Sequence, residues 1–260
     1  MSSSSLYTDA FYSKLKPVSN RSANAIVPLL QRLAPFQSVC DVGCGPGSWL
    51  KGFADHGITD YLGLDGDYVI GAGLVIPAEH FRAQDLSKPF TVERQFDLAV
   101  SLEVAEHLPS ARAEGFIADI TRLAPLVLFS AAIPFQGGTG HINEQWQDYW
   151  VELFARRDYQ VFDVIRHQVW DDERVLRFYR QNIFVFCRRD HVANCPGLSA
   201  AHSNLPLSIV HPMQYALRTT ELGMRDSITL AWQSVKREIA RRLPGSRANT
   251  YAVPSESAER

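Results

Sequence analysis

The stretch DVGCGPGSWL, residues 41 to 50, decides the fold expected for this chain. It ends the apolar run QSVCDV (37–42) and opens a predicted helix. Its glycines, Gly43, Gly45 and Gly47, let the backbone turn sharply and approach a ligand closely, and the N-terminus of the helix adds favourable dipoles. This strand–turn–helix order predicts a ligand-binding turn at the carboxyl end of a parallel strand.

The spacing of these glycines argues against a nicotinamide dehydrogenase. The dinucleotide fingerprint G-x-G-x-x-G would place its third glycine at position 48, which is Ser48 here. The carboxylate of Asp41, two residues before the first glycine, would repel a pyrophosphate but would attract a cationic ligand. The alternative, a tight glycine turn that binds nothing, stays open at this point.

Short apolar runs alternate with helical patterns on both sides of this turn. Such alternation predicts an α/β fold, a Rossmann-like seven-stranded, mostly parallel sheet flanked by helices. The last two runs are joined by a short charged connector, so they are expected to pair antiparallel at the sheet edge. The predicted strands are QSVCDV (37–42), YLGLD (61–65), residues 81–84, FDLAVS (96–101), LVLFSA (126–131), YQVFDVI (159–165) and NIFVFC (182–187).

The pattern outside the sheet predicts three regions: an N-terminal helical cap (1–36), a ligand-binding domain (37–188) and a C-terminal helical extension (189–260). In the cap, apolar spacing predicts a helix over 19–33, with Pro28 limiting where it begins. From about residue 227 a second helix is expected to pack back on the domain. A basic membrane-surface helix or a contact with another subunit is the alternative. The tail after Pro244 is expected to be disordered.

Composition restricts the classes of partner. The chain has 260 residues, 46% of them hydrophobic, and a formal net charge of −2, so it lacks the global positive field of a nucleic-acid-binding protein. It has no apolar run of the roughly 18 residues that span a bilayer and no secretory pattern at its start. Its four cysteines lack C-x-x-C pairing. These features predict a cytoplasmic protein, with peripheral membrane attachment or homo-oligomerisation as further possibilities.

The segment DVGCGPG resembles motif I of the class I S-adenosylmethionine-dependent methyltransferases, including those of the ubiquinone-biosynthesis type, and the resemblance extends over residues 37–188. It implies S-adenosylmethionine as the cofactor, with Asp41 and the three glycines around it. Asp65 stands 24 positions after Asp41, where the family places a carboxylate on the ribose hydroxyls. A carboxylate suits a diol because it accepts two hydrogen bonds. Asp67 is the nearby alternative.

The same resemblance assigns two further cofactor segments. Asp85 and Leu86, in Gln84-Asp85-Leu86, match the segment that accepts the adenine amine and covers its ring, although Asp85 is equally readable as an ordinary loop residue. Ser101 and Leu102, in FDLAVSLEVAEHL, match the fourth-strand motif that flanks the methionine part of the cofactor.

The stretch SLEVAEH, residues 101–107, carries the candidate chemistry. In a helix, Glu103, Glu106 and His107 would share one face. This E-x-x-E-H segment resembles a motif of the small-RNA 2′-O-methyltransferases. In those enzymes two Glu, the adjoining His and a later His bind a divalent cation that holds a vicinal diol. His141 is the comparable later histidine, so the four residues are the predicted Mg²⁺ or Mn²⁺ ligands. Without a metal, His107 or His141 is the predicted general base, and Glu103 belongs to the same catalytic set.

The acceptor region is expected around IPFQGGTGHINEQWQDYW (133–150), where Trp146, Tyr149 and Trp150 suit a sugar face or, at helical spacing, the core. The combination GGTGHINEQW, WDDE and YRQN resembles methyltransferases of bacterial surface-polysaccharide and secondary-metabolite synthesis. The predicted function is O-methylation of a glycan or another hydroxyl-bearing small molecule. The alternatives are an N-methyltransferase, a metal-free O-methyltransferase, and a non-catalytic cofactor-binding regulator or scaffold.

Overall fold

A computed structural model describes residues 9–71, 73–199 and 207–220, together with helical residues at 227–228, 231–232 and 234–236. The chain divides into two compact units, Met1–Tyr215 and Ala216–Arg260. The features that follow belong to the first unit, apart from residues 216–220 at the end of the last helix. The predicted tail after Pro244 lies outside the described residues, and so do residues 229–230, 233 and 237 onward of the predicted helix that starts near residue 227.

Seven strands form one sheet in the order β3-β2-β1-β4-β5-β7-β6. The first five are mutually parallel, and β7 runs antiparallel to both β5 and β6. The predicted fold class is thereby confirmed, including the antiparallel pair at the edge. The strands are β1 Ser38–Val42, β2 Asp60–Asp65, β3 Phe81–Ala83, β4 Leu98–Leu102, β5 Leu126–Ser130, β6 Tyr159–Phe162 and β7 Phe184–Arg188.

Helices cover both faces of the sheet. They are α1 Asp9–Leu33, α2 Ser48–Asp55, α3 Tyr68–Gly71, α4 Ala113–Leu123, α5 Gln147–Ala155, α6 Arg166–Val169, α7 Arg177–Asn182, α8 Pro196–Ser199 and α9 Pro212–Thr220. No helix among the described residues is long and apolar enough to cross a membrane. The connector between the last two strands, expected to be short and charged, contains α6 and α7.

The central strands are apolar on both sides because each side meets a separate core. Val39 packs in the core with α1 and α2, whereas its neighbour Cys40 packs in the core with α4 and α5. Leu98 and Ala99 divide in the same way on β4. Alternate residues of a strand face opposite sides of the sheet, so a sheet covered twice requires continuous apolar strands.

The first helix begins earlier than its sequence pattern predicts. Helix α1 runs through both Pro17 and Pro28 rather than starting after position 18. Each proline removes one backbone hydrogen bond. The burial of Ala23, Ile26 and Leu30 against the sheet favours the helix in spite of that loss.

Candidate active site

The glycine turn joins β1 to α2 with three residues in the left-handed region. Gly43, Gly45 and Gly47 have φ angles of 84°, 52° and 91°. A Cβ added at Gly43 would lie 2.3 Å from Val104 Cγ2, and one at Gly47 would lie 2.7 Å from Ile76 Cγ1. Only glycine fits these positions without strain, so the turn presents bare backbone beside the helix N-terminus.

Two buried carboxyls lie beside this turn. Asp65, at the end of β2, accepts hydrogen bonds from the amide of Gly45 at 2.7 Å and from the hydroxyl of Tyr68 at 2.7 Å. Burial raises the pKa of Asp65, although these hydrogen bonds oppose the rise. Burial also raises the pKa of Asp41, and the neighbouring Asp65 raises it further. A cradle of bare backbone with two buried carboxyls fits a cofactor that carries a diol and positive charge.

The remaining cofactor candidates lie at the carboxyl ends of β3 and β4. Asp85 accepts hydrogen bonds from Ser87 and pairs with Lys88 at 3.0 Å, the contacts of a loop-ordering aspartate. Leu86 packs its side chain in the core beneath the loop. Ser101 is fully buried on β4, and Leu102 packs in the core beside α2. These positions agree with the expected edge of the sheet, while their cofactor roles remain predictions.

The segment SLEVAEH does not form the helix that would place its two glutamates and His107 on one face. Strand β4 ends at Leu102, Glu103 has a φ of 56°, and a single 3₁₀ turn spans Ala105–His107. The left-handed residue redirects the chain, so the side chains of Glu103 and Glu106 belong to different groups.

Glu103 lies in a cradle of side-chain amides. Gln136 Nε2 donates to Glu103 Oε2 at 2.7 Å, and Asn182 Nδ2 donates to Oε1 at 3.1 Å. Asn182 also donates to Gln136 Oε1 at 2.8 Å. Burial raises the pKa of Glu103, and the two amides and His141 oppose this effect.

Glu106 is fully buried, and its carboxylate oxygens have no hydrogen-bond partner among the described residues. Burial raises its pKa well above the ordinary value, and the charge of Glu103 adds to the rise. Its own backbone amide and that of Ala132, which lie near the carboxylate without making a hydrogen bond of normal geometry, lower it by less. A buried carboxyl without partners is costly unless it is protonated or meets a cation.

The two histidines lie against each other in front of Glu106. Their ring centroids are 4.8 Å apart and the rings are nearly perpendicular. Burial and the adjacent His141 lower the pKa of His107 to about 4, so its imidazole is neutral at physiological pH. His141 Nδ1 lies 2.9 Å from Glu144 Oε1. A Cβ at Gly138 would lie 2.2 Å from His141 Nε2, so the loop glycine allows the ring its position.

Three of the four predicted metal ligands converge. One ligand atom each from Glu106, His107 and His141 lies within 4.8 Å of the others. Glu103 is not part of this cluster. A carboxylate with two imidazoles is a mixed oxygen and nitrogen donor set of the kind that binds divalent metals.

Sequence reasoning missed the two amides that orient Glu103. Gln136 and Asn182 are 46 residues apart in the chain, and no spacing pattern joins them. Both are buried. Asn182 stands in YRQN, which drew attention only by resemblance. Trp150 packs on Phe129 in the core. This is the core-packing alternative that its helical spacing predicted.

Comparison with known proteins identifies the class. A family model described as a methyltransferase domain matches residues 18–168, more than half of the chain. The chain belongs to this methyltransferase-domain family. Its class is that of the class I S-adenosylmethionine-dependent methyltransferases, with the sheet described above.

Individual relatives are more distant. An uncharacterized methyltransferase of Mycobacterium avium (strain 104) is 37% identical over 81 residues, which cover 29% of this chain and 31% of that protein, about a third of its length. CalS10, an amino pentose methyltransferase from Micromonospora echinaspora with bound S-adenosylmethionine, is 14% identical over 70% of this chain and 98% of its own, with a TM-score of 0.52. DesVI of Streptomyces venezuelae is 14% identical over 72% and 98%, with a TM-score of 0.51. These two structures share the fold.

Proposed function

We propose that this protein transfers the methyl group of S-adenosylmethionine to an oxygen of a sugar, a glycan or another hydroxyl-bearing small molecule. The observation that carries the proposal is the cluster of Glu106, His107 and His141 at the carboxyl end of β4, because ligands of parallel sheets gather at that edge.

The cofactor side of the site follows from the glycine turn. Gly43, Gly45 and Gly47 provide backbone for close approach, Asp65 accepts hydrogen bonds from the ribose, and Asp85 accepts one from the adenine amine. Asp41 contributes negative charge, and Ser101 and Leu102 border the methionine part. The bound cofactor supplies a methyl group already activated by its sulfonium. The protein therefore has to align the acceptor with that methyl group and remove one proton.

The acceptor side has two ways to handle that proton. In one, Glu106, His107 and His141 would hold Mg²⁺ or Mn²⁺, which would supply positive charge that lowers the pKa of the acceptor hydroxyl. The neutral state of His107 favours this arrangement, because only an unprotonated imidazole binds a metal. In the other, the Glu144 carboxylate orients His141 through Nδ1, and Nε2 accepts the proton directly.

A sugar or diol acceptor is supported by the polar side chains that lie near the cluster. Glu103 follows β4, Gln136 lies in the loop after β5, and Asn182 lies just before β7. Their amide cradle is therefore at the same edge of the sheet as the cluster. Amide and carboxylate groups recognise hydroxyls by donating and accepting hydrogen bonds in a fixed geometry. We include Glu103 in the catalytic set for this reason and not as a metal ligand.

The test measures transfer of radiolabelled methyl from S-adenosylmethionine to a panel of free sugars, nucleotide sugars, catechols and amines, with Mg²⁺, Mn²⁺ or a chelator. We expect turnover on a hydroxyl acceptor, loss of turnover in Asp65→Ala with the fold retained, and a loss of about 100-fold or more in Glu106→Gln. Turnover confined to amines would contradict the oxygen acceptor. Cofactor binding with no turnover on any acceptor would favour a regulatory or scaffold protein.

A further inference from the structure

The loop over residues 85–90 lies between β3 and β4 without sheet or helix of its own. Its first anchor is the amide of Gln84, which donates to the backbone oxygen of Asp65 at 2.7 Å. The loop therefore starts beside the proposed ribose carboxylate and carries Asp85 and Leu86. Something other than a sheet ladder must hold its remaining backbone in place.

A buried arginine provides the second anchor. Arg112 is 8% exposed and ends the 3₁₀ turn ahead of α4. Its Nε donates to the backbone oxygen of Leu86 at 3.2 Å, and its Nη2 donates to that of Lys88 at 3.0 Å. The planar guanidinium thus holds two carbonyls of the loop in one fixed fork.

Asp119 lies on α4, 7 residues after Arg112, and is the partner of that arginine. Its side chain is 3% exposed and is ion-paired with Arg112. Its Oδ2 also accepts the amide of Phe90 at 3.3 Å. One buried ion pair therefore binds the loop at three backbone positions, two through carbonyls and one through an amide. Burial strengthens such charge-assisted hydrogen bonds.

We propose that Arg112 is a positioning residue for the adenine end of the cofactor site, and this proposal rests on the proposed function. The carbonyl of Leu86 and the amide of Ser87 share one peptide plane, and that amide donates to Asp85 Oδ1 at 3.0 Å. Fixing the carbonyl therefore orients the Asp85 carboxylate and holds the backbone of Leu86. Adenine is recognised by an acceptor for its exocyclic amine and a donor for its ring nitrogen. Arg112 itself touches neither group and acts only through the loop.

The chain offers a matched control in Arg122. It pairs with the same Asp119 carboxylate, but its side chain is 55% exposed. Its hydrogen bond to the loop runs from Nη2 to the backbone oxygen of Phe90 at 3.5 Å. Arg122→Met therefore removes a charge from the same ion-pair group without releasing Leu86 or Lys88.

The experiment measures dissociation constants by calorimetry for S-adenosylhomocysteine and for S-inosylhomocysteine, in which a carbonyl replaces the adenine amine. In wild type we expect the adenosyl compound to bind about tenfold more tightly. In Arg112→Met this preference falls towards one, in Arg112→Lys it is intermediate, and in Arg122→Met it is unchanged. A general loss of stability lowers the melting temperature and does not alter the ratio.

Three results overturn the inference. The first is a soluble Arg112→Met variant that keeps the wild-type ratio of the two dissociation constants. If that variant fails to fold, the second is an Arg112→Lys variant with the wild-type ratio, because the lysine keeps the charge beside Asp119. Wild type that binds both compounds equally also overturns it, since the loop then does not recognise adenine. Wild type that binds neither compound would contradict the proposed function itself, and is thus distinguishable.

Discussion

His141 Nδ1 lies 2.9 Å from Glu144 Oε1, and the same carboxylate accepts the backbone amides of Phe135 and Gly137, each at 2.8 Å. Glu144 therefore holds both the imidazole and the loop that carries it. Although burial raises its pKa, the bonds from His141 and Gly137 lower it below the usual value. The carboxylate stays charged and orients the ring.

We expect Glu144→Gln to loosen this loop. The amide side chain cannot accept three hydrogen bonds as the carboxylate does, and each lost charge-assisted bond is worth about 1.5–3 kcal/mol. Hydrogen exchange of residues 135–142 should accelerate about tenfold or more, while exchange in β5 stays the same. Unchanged protection of the loop would contradict the role given to Glu144.

We expect Glu106 and Glu103 to differ in their contribution to metal binding. Mn²⁺ binding to chelator-stripped protein, saturated with S-adenosylhomocysteine and followed by electron paramagnetic resonance, should be lost in Glu106→Gln and in His107→Ala. Glu103→Gln is the matched control, because its carboxylate lies in the amide cradle outside the cluster. We expect its Mn²⁺ affinity to stay within about threefold of wild type. Equal losses in both glutamate variants would restore Glu103 as a ligand.

A third prediction concerns the glycine turn. Gly43 and Gly57 have φ angles of 84° and 90°, but a Cβ at Gly57 meets nothing within 4 Å, whereas one at Gly43 would lie 2.3 Å from Val104. Gly57→Ala should lower the free energy of unfolding by about 1 kcal/mol, from backbone strain alone. Gly43→Ala should lower it by about 3 kcal/mol, because overpacking adds to that strain.

Urea denaturation of the two variants gives these values. Gly43→Ala/Val104→Ala should recover part of the stability but not reach wild type. Equal losses at the two glycines would show that Val104 moves aside freely.

The fourth prediction follows from the raised pKa of Asp41. A carboxyl whose pKa is higher in the folded state binds its proton more tightly there. Its stabilising contribution is complete below the unfolded pKa of about 3.9 and is lost as pH rises through the folded pKa. Asp41→Asn removes this loss. We therefore expect the variant to gain stability over wild type as pH rises from about 4 to about 8, in the absence of cofactor.

Chemical denaturation across this pH range measures the difference. Asp55→Asn is a control of opposite sign, because the hydrogen bond from Lys51 lowers the pKa of Asp55, so its contribution is lost as pH falls. Weaker binding of S-adenosylhomocysteine by Asp41→Asn would accompany the gain if the charge serves the cofactor. A pH-independent difference would contradict the raised pKa.

The sequence by itself determined the sheet and the turn that begins the site. Continuous apolar strands such as β1 and β4 are required wherever both faces are covered, and three alternate glycines have few uses other than a left-handed turn. Both patterns depend on residues that are close together in the chain, so they can be recognised in the sequence. The family resemblance rested on the same residues, and the matched methyltransferase domain confirms the class.

The tertiary structure alone decided which side chains meet. A single left-handed residue, Glu103, separated two carboxylates that helical spacing would have placed on one face. Gln136, Asn182 and Arg112 reach their partners only because strands and loops distant in sequence end at the same edge of the sheet. Hydrogen bonds extend over about 3 Å in space at any separation along the chain, so the order of residues does not reveal them.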